Sequence, residues 1–330
     1  MEFIYKYQYL IVNPNIDWDG LSDNEEAIHI LEKNLDKINF TYLSLNQNAI
    51  KILEKNIDKI DWDYLSLNEN AIHLLEQNLD KVNWTLLSSN INALDILEKN
   101  LNKINFKYLA ANKNPRAISI IEKYIMEKSN ISKEFWDNLG IRDNYIPTIE
   151  ANIHNIKWAN LSFNKNAIHL LENKLYLVNW SNFSLNPNAI HILEKHLDRV
   201  NWNNLSKNEN AIHIIEKNLD KVYWNALSEN ENAIHILEQP INNDKIVWEN
   251  LSQNKKALHI LSLPQNIDKI NWRYLSKNPG LFELDYLAMS KQRMKIIETE
   301  LLEKALHPIR ISNWLDQHLI NGKDICDFEY

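Results

Sequence analysis

The chain is poor in residues on which many folds and active sites depend. Its one cysteine, Cys326, excludes an internal disulfide framework and favours a reducing compartment. Its four glycines are isolated, so no glycine-rich loop can cradle phosphate groups. No stretch approaches the ~18 apolar residues of a membrane helix, and the first residues lack the features of a signal peptide. We therefore expect a cytoplasmic protein that does not span a membrane.

The chain also lacks an excess of positive charge and any recognisable catalytic motif. Its net charge is −8, with acids and bases interspersed, which works against a surface that tracks phosphates. The patterns HExxH, CxxC and GxSxG are absent. A serine recurs in ten places with no common base residue nearby, which indicates a hydroxyl satisfying a turn and not a nucleophile. We expect no enzyme activity, no cofactor and no bound metal.

What the chain does have is an internal repeat. Aromatic residues recur at 22-residue steps, with one step of 30 residues and, near the end, two of 24. Such periodicity is typical of a solenoid, in which each unit buries its apolar face against its neighbours. The twelve anchors are Trp18, Phe40, Trp62, Trp84, Phe106, Trp136, Trp158, Trp180, Trp202, Trp224, Trp248 and Trp272.

Each unit carries the signals of two helices. Asp or Asn precedes most anchors, as Asp61 precedes Trp62, and caps a short helix Trp-x-x-Leu-Ser. A second Asn six residues after the anchor, such as Asn68, caps a longer helix of about ten residues with one apolar stripe. A strand at Lys-Ile-Asn-Trp, as in leucine-rich repeats, is the rival interpretation, but the Leu-x-Leu alternation is missing.

These units predict an all-α solenoid of about twelve two-helix repeats over residues 1–280. We expect an open, curved rod, with residues 281–330 as a C-terminal helical cap broken at His307-Pro308. Eight extra residues before Trp136 lengthen a helix or add a loop. Unit six departs most from the pattern, with Arg142 in place of Asn and Tyr145 in place of Ala. It is either a decayed repeat or a kink in the rod.

Two sets of positions are candidates for binding a partner. One is a column of histidines that either contacts a partner, senses pH or occupies a position that tolerates any polar residue. Metal binding by these histidines is disfavoured, since neighbouring helices lie too far apart for two side chains to share a metal ion. The other set comes from the position just before the second Asn, where the residue varies between repeats. Apolar residues there suit hot spots for a protein partner, unless the variation is only neutral drift on an exposed face. The histidines are His29, His73, His169, His191, His213, His235 and His259, and the apolar residues are Leu45, Leu67, Phe163 and Leu185.

The repeat Trp-x-x-Leu-Ser-x-Asn-x-Asn-Ala-Ile-His-Ile-Leu-Glu-Lys-Asn-Leu-Asp-Lys-Ile-Asn-Trp resembles the short helical repeats of uncharacterised proteins from amoeba-infecting giant DNA viruses, which are mimivirus-like. The segment Glu303–Arg310, followed by Trp314-Leu315, is similar to the ends of such proteins. The resemblance implies a viral origin, a setting in the infected-cell cytoplasm, and an interaction role like that of ankyrin arrays.

The sequence thus predicts a non-enzymatic scaffold or adaptor for a host or viral protein. One alternative is single-stranded RNA or DNA binding, with one tryptophan stacking a base in each repeat. That alternative is disfavoured because Phe40 and Phe106 replace Trp within a periodic core pattern and the net charge is negative. A structural component of a virus particle is a further alternative.

Overall fold

The structure, a computed structural model, describes residues 5–128 and 130–320, and these residues form helices and turns with one isolated bridge, Tyr5–Leu284. The strand that a leucine-rich repeat would place at Lys-Ile-Asn-Trp is absent from the described repeats. Within this part of the chain, no helix is both long and apolar enough to cross a membrane. The all-α repeat architecture predicted from the sequence is confirmed.

Every anchor begins a first helix, except in repeat 6, where Trp136 lies inside one. The bounds of the first helices are Trp18–Asp23, Phe40–Leu45, Trp62–Leu67, Trp84–Leu87, Phe106–Leu109, Lys133–Gly140, Trp158–Leu161, Trp180–Ser184, Trp202–Lys207, Trp224–Glu229, Trp248–Leu251 and Trp272–Lys277. The preceding Asp or Asn caps most of them; Asp61, for example, accepts the backbone N–H groups of Asp63 and Tyr64. Asn105 is an exception whose side chain makes no cap hydrogen bond.

The second helices are shorter than the expected ten residues. Most have four to six residues, because the helix begins only after the Ala three residues beyond the second Asn, as after Ala71 in repeat 3. At the other end of that helix, Asn78 leaves helical geometry while its Nδ2 donates to the carbonyl of Leu74 at 2.9 Å. Their bounds are Ile28–Leu31, Ile50–Glu54, Ile72–Gln77, Leu94–Lys99, Ala117–Glu127, Ile146–Ala151, Ile168–Leu171, Ile190–Leu193, Ile212–Glu216, Ile234–Leu237 and Leu258–Leu261. Short 3-10 turns flank many of them, such as Glu25–Ala27 and Ile57–Lys59.

The extra residues before Trp136 lengthen a helix, which decides between the two expectations for that stretch. Ala117–Glu127 is the longest second helix, with eleven residues. Its Tyr124 ring stacks on Phe106 with ring centroids 3.8 Å apart. The anchor of repeat 5 is therefore covered by its own second helix.

The core lies between the two helices of each repeat and between neighbouring repeats. In repeat 3, Leu65, Ala71 and Leu75 are fully buried, and their equivalents are buried in the other repeats. The anchors themselves are half-buried, except Trp136, which is buried. The expectation of core tryptophans therefore needs correction, since most of these rings lie at the boundary of the core.

A ladder of serine and asparagine side chains joins most repeats to the next; repeats 5 and 6 lack the serine. Ser66 Oγ donates to the carbonyl of Trp62 at 2.7 Å and accepts the backbone N–H of Asn83 at 3.0 Å. Asn90 Nδ2 donates to the carbonyls of Ser66 and Asn68, both at 3.1 Å. These side chains are buried, so the ladder satisfies backbone groups that water cannot reach.

The same ladder joins repeat 12 to repeat 1. Ser276 Oγ accepts the backbone N–H of Asp17 at 2.8 Å, and Asn24 Nδ2 donates to the carbonyls of Ser276 at 3.0 Å and Asn278 at 3.3 Å. The first helices of repeats 1 and 12 pack directly on each other. The repeats therefore form a closed ring, and the expectation of an open rod is wrong.

Two residues in repeat 1 fit this seam, the junction between repeats 12 and 1. A Cβ atom on Gly20 would lie 2.8 Å from Ser276 Cβ and 2.9 Å from the carbonyl oxygen of Arg273, so only glycine permits this close approach. Asp23 accepts a salt bridge from Lys277 Nζ at 2.9 Å.

The first helices form the inner wall of the ring. Where α-helices of neighbouring repeats pack closely, as in repeats 1 and 2, 9 and 10, or 12 and 1, they are first helices, and the second helices are spaced farther apart. The wall with the shorter circumference lies inside. With about 8–10 Å between packed helix axes, twelve layers give an inner circumference of roughly 100–120 Å.

Tyr9–Leu281 form one compact unit, and the described residues 5–8 and 282–320 belong to another. In the second unit, Lys6 pairs with Glu283, and Tyr5 packs edge-on against Phe282. Helices Tyr286–Ala305 and Pro308–Ile320 are separated at the predicted His307-Pro308 break. Cys326 lies outside the described residues, and a capping role for the C-terminal segment stays a prediction.

Candidate functional site

The inner face of the ring is the candidate binding site. It consists of the residues one, two and five positions after each anchor, which lie on the side of the first helix opposite the buried Leu and Ser. These are the positions that vary between repeats, while the residues behind them stay nearly constant. The closed ring turns all of the variable positions towards one enclosed space.

One arc of this face is rich in aromatic and aliphatic side chains. It comprises repeats 2–5 and includes Tyr42, Leu45, Tyr64, Leu67, Leu86 and Tyr108, of which Tyr64 is exposed and the others half-buried. Such side chains supply large apolar contact areas at little entropic cost, which suits hot spots for a protein partner.

The apolar site residues predicted from the sequence all lie on the inner face. Leu45 and Leu67 belong to the apolar arc. Phe163 and Leu185 lie farther round, in repeats 7 and 8, where Phe163 is 38% exposed. The arc also contains residues that the sequence reasoning did not select as sites, the tyrosines two positions after the anchor. Their recurrence in repeats 2, 3, 5 and 12 was the available signal.

The opposite arc is polar and mostly neutralised by internal pairs. Lys207 binds Glu229 of the next repeat at 3.1 Å, and Asn250 donates to the same carboxylate at 2.7 Å. Lys277 pairs with Asp23 across the seam and lies over the Tyr42 ring, 5.2 Å from its centroid. Two of the bases on this face are therefore already engaged.

A cavity of about 500 Å³ opens on this polar arc. It is lined by Gln253, Arg273, Tyr274, Lys277, Asn278 and Pro279. Four of these residues occupy inner-face positions, so the cavity is a pocket in the same surface. It offers the guanidinium of Arg273 and the amide of Gln253.

The histidine column lies on the second helices, which form the outer wall. Several members pair with a glutamate of the preceding repeat: His73 Nε2 lies 2.8 Å from Glu54, and His235 Nε2 lies 2.7 Å from Glu216. His169–Glu150, His213–Glu194 and His259–Glu238 repeat this contact. About half of each side chain is exposed, and such surface pairs contribute only about 0–1 kcal/mol each.

The other two histidines of the column differ from these pairs. Burial lowers the pKa of His29, which is half-buried in repeat 1. His191 is exposed at the same helix position in repeat 8. The structure therefore separates the histidines from the apolar site residues, because the two sets lie on opposite walls of the ring.

Most anchor rings are covered by a cation from the last turn of the same repeat. Lys81 Nζ lies 4.8 Å from the centroid of Trp62, and Arg199 lies 4.4 Å from that of Trp180. Equivalent contacts cover Trp18, Phe40, Trp84, Trp158, Trp202, Trp224 and Trp248. A nucleic-acid base would have to displace this cation to stack on the ring.

The constant polar residues are occupied in the ladder. Each ladder asparagine both accepts an N–H in the turn before its own second helix and donates to the preceding repeat, as Asn68 does for Asn70 N–H and for the carbonyls of Ser44 and Asn46. Among the described residues there is no cluster of three or more His, Cys, Asp or Glu that could hold a metal ion.

Repeat 6 keeps one bond of the ladder by a substitution. Arg142 occupies the Asn position, but the Tyr145 hydroxyl donates to the carbonyl of Asn112 at 2.6 Å, which is the bond that the missing amide would supply. Burial raises the pKa of Tyr145 to about 12. Repeat 6 therefore departs from the sequence pattern but stays part of the ring, with Tyr145 making the hydrogen bond that an asparagine makes elsewhere.

No protein-family model, curated protein sequence or solved structure matches this chain.

Proposed function

We propose that the chain is a non-enzymatic protein-interaction scaffold, ankyrin-like in role, that holds a segment of a protein partner against the inner face of its ring. The proposal rests on one observation: the variable positions all lie on that face, while the constant Ser and Asn side chains make the hydrogen bonds of the ladder. Evolution of new contacts can then proceed without loss of the fold.

The chemistry of the inner face favours a protein segment over a nucleic acid. Acids outnumber bases at these positions: Asp19, Asp23, Asp63, Asp137, Glu229 and Glu249 against Lys107, Lys207, Arg273 and Lys277. A phosphate backbone needs a continuous positive surface. An apolar arc facing a polar arc suits an amphipathic segment instead, with its apolar side towards repeats 2–5.

The viral origin and the infected-cell cytoplasm are parts of the proposal that rest on the resemblance of the repeat alone. A role in the virus particle predicts abundance of the chain in purified virions. The scaffold role predicts that the chain remains in the infected cell, bound to its partner.

A displayed library of random peptides, panned against the immobilised full chain, tests the scaffold role. Enriched peptides should bind wild-type protein, and Tyr64→Ala with Leu67→Ala should weaken binding by roughly 10- to 100-fold, because both side chains lie in the apolar arc. Lys51→Ala with Lys55→Ala, on the exposed outer wall, is the matched control and should leave the affinity unchanged.

Failure to enrich any peptide, or equal binding by the inner-face variant, contradicts the proposal. A fluorescent single-stranded RNA oligonucleotide forms the second arm of the experiment. Binding at about 50 mM salt that weakens steeply at about 200 mM would favour nucleic acid instead.

A further inference from the structure

The long helix Tyr286–Ala305 has no buried residue along its twenty positions. Helices of this length on globular proteins normally bury an apolar stripe. Here Leu287, Met294, Ile297 and Leu301 have exposed fractions between 37% and 68%. The helix therefore carries an apolar surface that the described part of the chain leaves open.

The spacing of these four residues is that of a coiled-coil seam. Leu287, Met294 and Leu301 are seven residues apart, and Ile297 follows Met294 by three. Residues at such positions pack against a second helix as knobs into holes. Ser290 occupies the seam position between Leu287 and Met294, where it leaves room for a large side chain from the other helix.

The charges on this helix are divided between its two halves. Lys291, Arg293 and Lys295 lie in the N-terminal half, and Glu298, Glu300 and Glu303 lie in the C-terminal half, where Lys304 at the end of the helix is the one base. An antiparallel copy of the same helix would place each basic half beside an acidic half. A parallel copy would place like charges together.

We propose that the helix 286–305 is the interface of an antiparallel homodimer, and that its occupant is the same helix of a second copy of this chain. This inference is independent of what binds to the inner face of the ring. It uses a different surface and requires no outside partner.

One register satisfies the seam and the flanking charges together. In it, Met294 packs against Ile297 of the second copy, and Leu301 faces Ser290. On the flanks, Lys291 then faces Glu298 and Arg293 faces Glu300, and each contact occurs twice by symmetry. Leu287 meets the aliphatic stem of Lys304 at the end of the seam.

A two-helix contact is smaller than a standard interface, so we expect a dissociation constant on the order of micromolar. Sedimentation velocity on the full chain should show a monomer at about 1 µM and a dimer at about 100 µM. A single monomeric species across that range overturns the proposal and leaves the stripe for a different partner.

Complementary charge variants locate the interface. Lys291→Glu with Arg293→Glu makes the flanks acidic throughout, and Glu298→Lys with Glu300→Lys makes them basic throughout. Each variant alone should be monomeric, and an equimolar mixture should form a heterodimer, which also shows that both variants are folded. Lys51→Glu with Lys55→Glu, on the outer wall of the ring, is the control and should dimerise like wild type.

A dimer that persists in each single charge variant, or a mixture that stays monomeric, overturns the assignment to this helix. The orientation is tested with a spin label on Ala305→Cys in a Cys326→Ser background. In the proposed register, residue 305 lies opposite residue 286 of the second copy, so the two labelled positions should be about 30 Å apart. A parallel pair would give about 10 Å, which overturns the antiparallel arrangement.

Discussion

Closure of the ring predicts that a side chain in the first repeat is as important for stability as one in the middle of the array. The change we choose is Asn24→Asp, with Asn68→Asp as its interior counterpart. Aspartate keeps the oxygen that caps the 3-10 turn Glu25–Ala27, so the N–H of Glu26 retains its acceptor. It removes the amide donor and puts a carboxylate beside carbonyl oxygens.

The magnitude follows from the contacts of these two residues. Asn24 is 3% exposed and Asn68 is 1% exposed, and each donates to two backbone carbonyls of the preceding repeat. A lost hydrogen bond costs about 0.5–1.5 kcal/mol, and a buried group left unsatisfied costs about 1–3 kcal/mol. We therefore expect about 3 kcal/mol or more of destabilisation for either variant.

Urea unfolding followed by circular dichroism measures the effect, with Asn225→Asp as a control at an exposed asparagine. The two buried variants should lower the unfolding midpoint by similar amounts, and the control should leave it nearly unchanged. In an open rod, Asn24 would face solvent at a free end. A loss below about 0.5 kcal/mol for Asn24→Asp beside a full loss for Asn68→Asp would refute closure.

Three further changes probe the ladder, repeat 6 and the anchor rings by the same unfolding assay. Ser66→Ala should cost about 1–3 kcal/mol, because it removes a buried donor and acceptor together, whereas a loss under about 0.5 kcal/mol would contradict the ladder. Tyr145→Phe should cost about 1–3 kcal/mol at neutral pH by leaving the Asn112 carbonyl without a donor. Since the pKa of Tyr145 is raised to about 12, the free energy of unfolding of the wild type should fall as the pH rises from about 10 to 12. Over that range the wild type should lose its greater stability relative to the Phe variant, and a difference between the two that stays constant would contradict this. Lys81→Gln should cost about 0.5–1 kcal/mol through its contact with Trp62, and no loss would show that the cation is not stabilising.

Most of the local structure was predictable because it follows from short-range rules. Asp61 caps its first helix as predicted, whereas Asn68 accepts the N–H of Asn70 in the turn that precedes the second helix, whose N-cap residue is Ala71. The recurring anchors predict repeats that stack, and the repeats do stack. These features depend on residues within one or two units, which a single sequence displays directly.

Closure was harder to foresee because the ladder at the seam uses the same residue types as most other junctions. The periodic sequence indicates that repeat 12 can pack against another repeat. Whether that repeat is repeat 1 depends on the curvature of the whole array, which is set by small rotations at each junction. A signal was nevertheless present. Open solenoids carry atypical polar end repeats, whereas repeats 1 and 12 keep the full pattern in Asp17, Asn24, Ser276 and Asn278.

The candidate site was predicted in part. The sequence shows the variable position before the second Asn, and its apolar members Leu45, Leu67, Phe163 and Leu185 lie on the inner face. The histidines are candidates for the same site on sequence grounds, because they too recur at a fixed place in the unit. Their separation on opposite walls depends on which helix is inside the ring, and the sequence carries no information on that point.

The most direct test of the closed ring is the distance between its first and last repeats. Spin labels on Asp19→Cys and Arg273→Cys, in a Cys326→Ser background, report that distance in the full chain by electron paramagnetic resonance. The account predicts a separation within about 20 Å, since the two first helices pack side by side. A separation of about 50 Å or more, as between the ends of a rod of twelve layers, would contradict it.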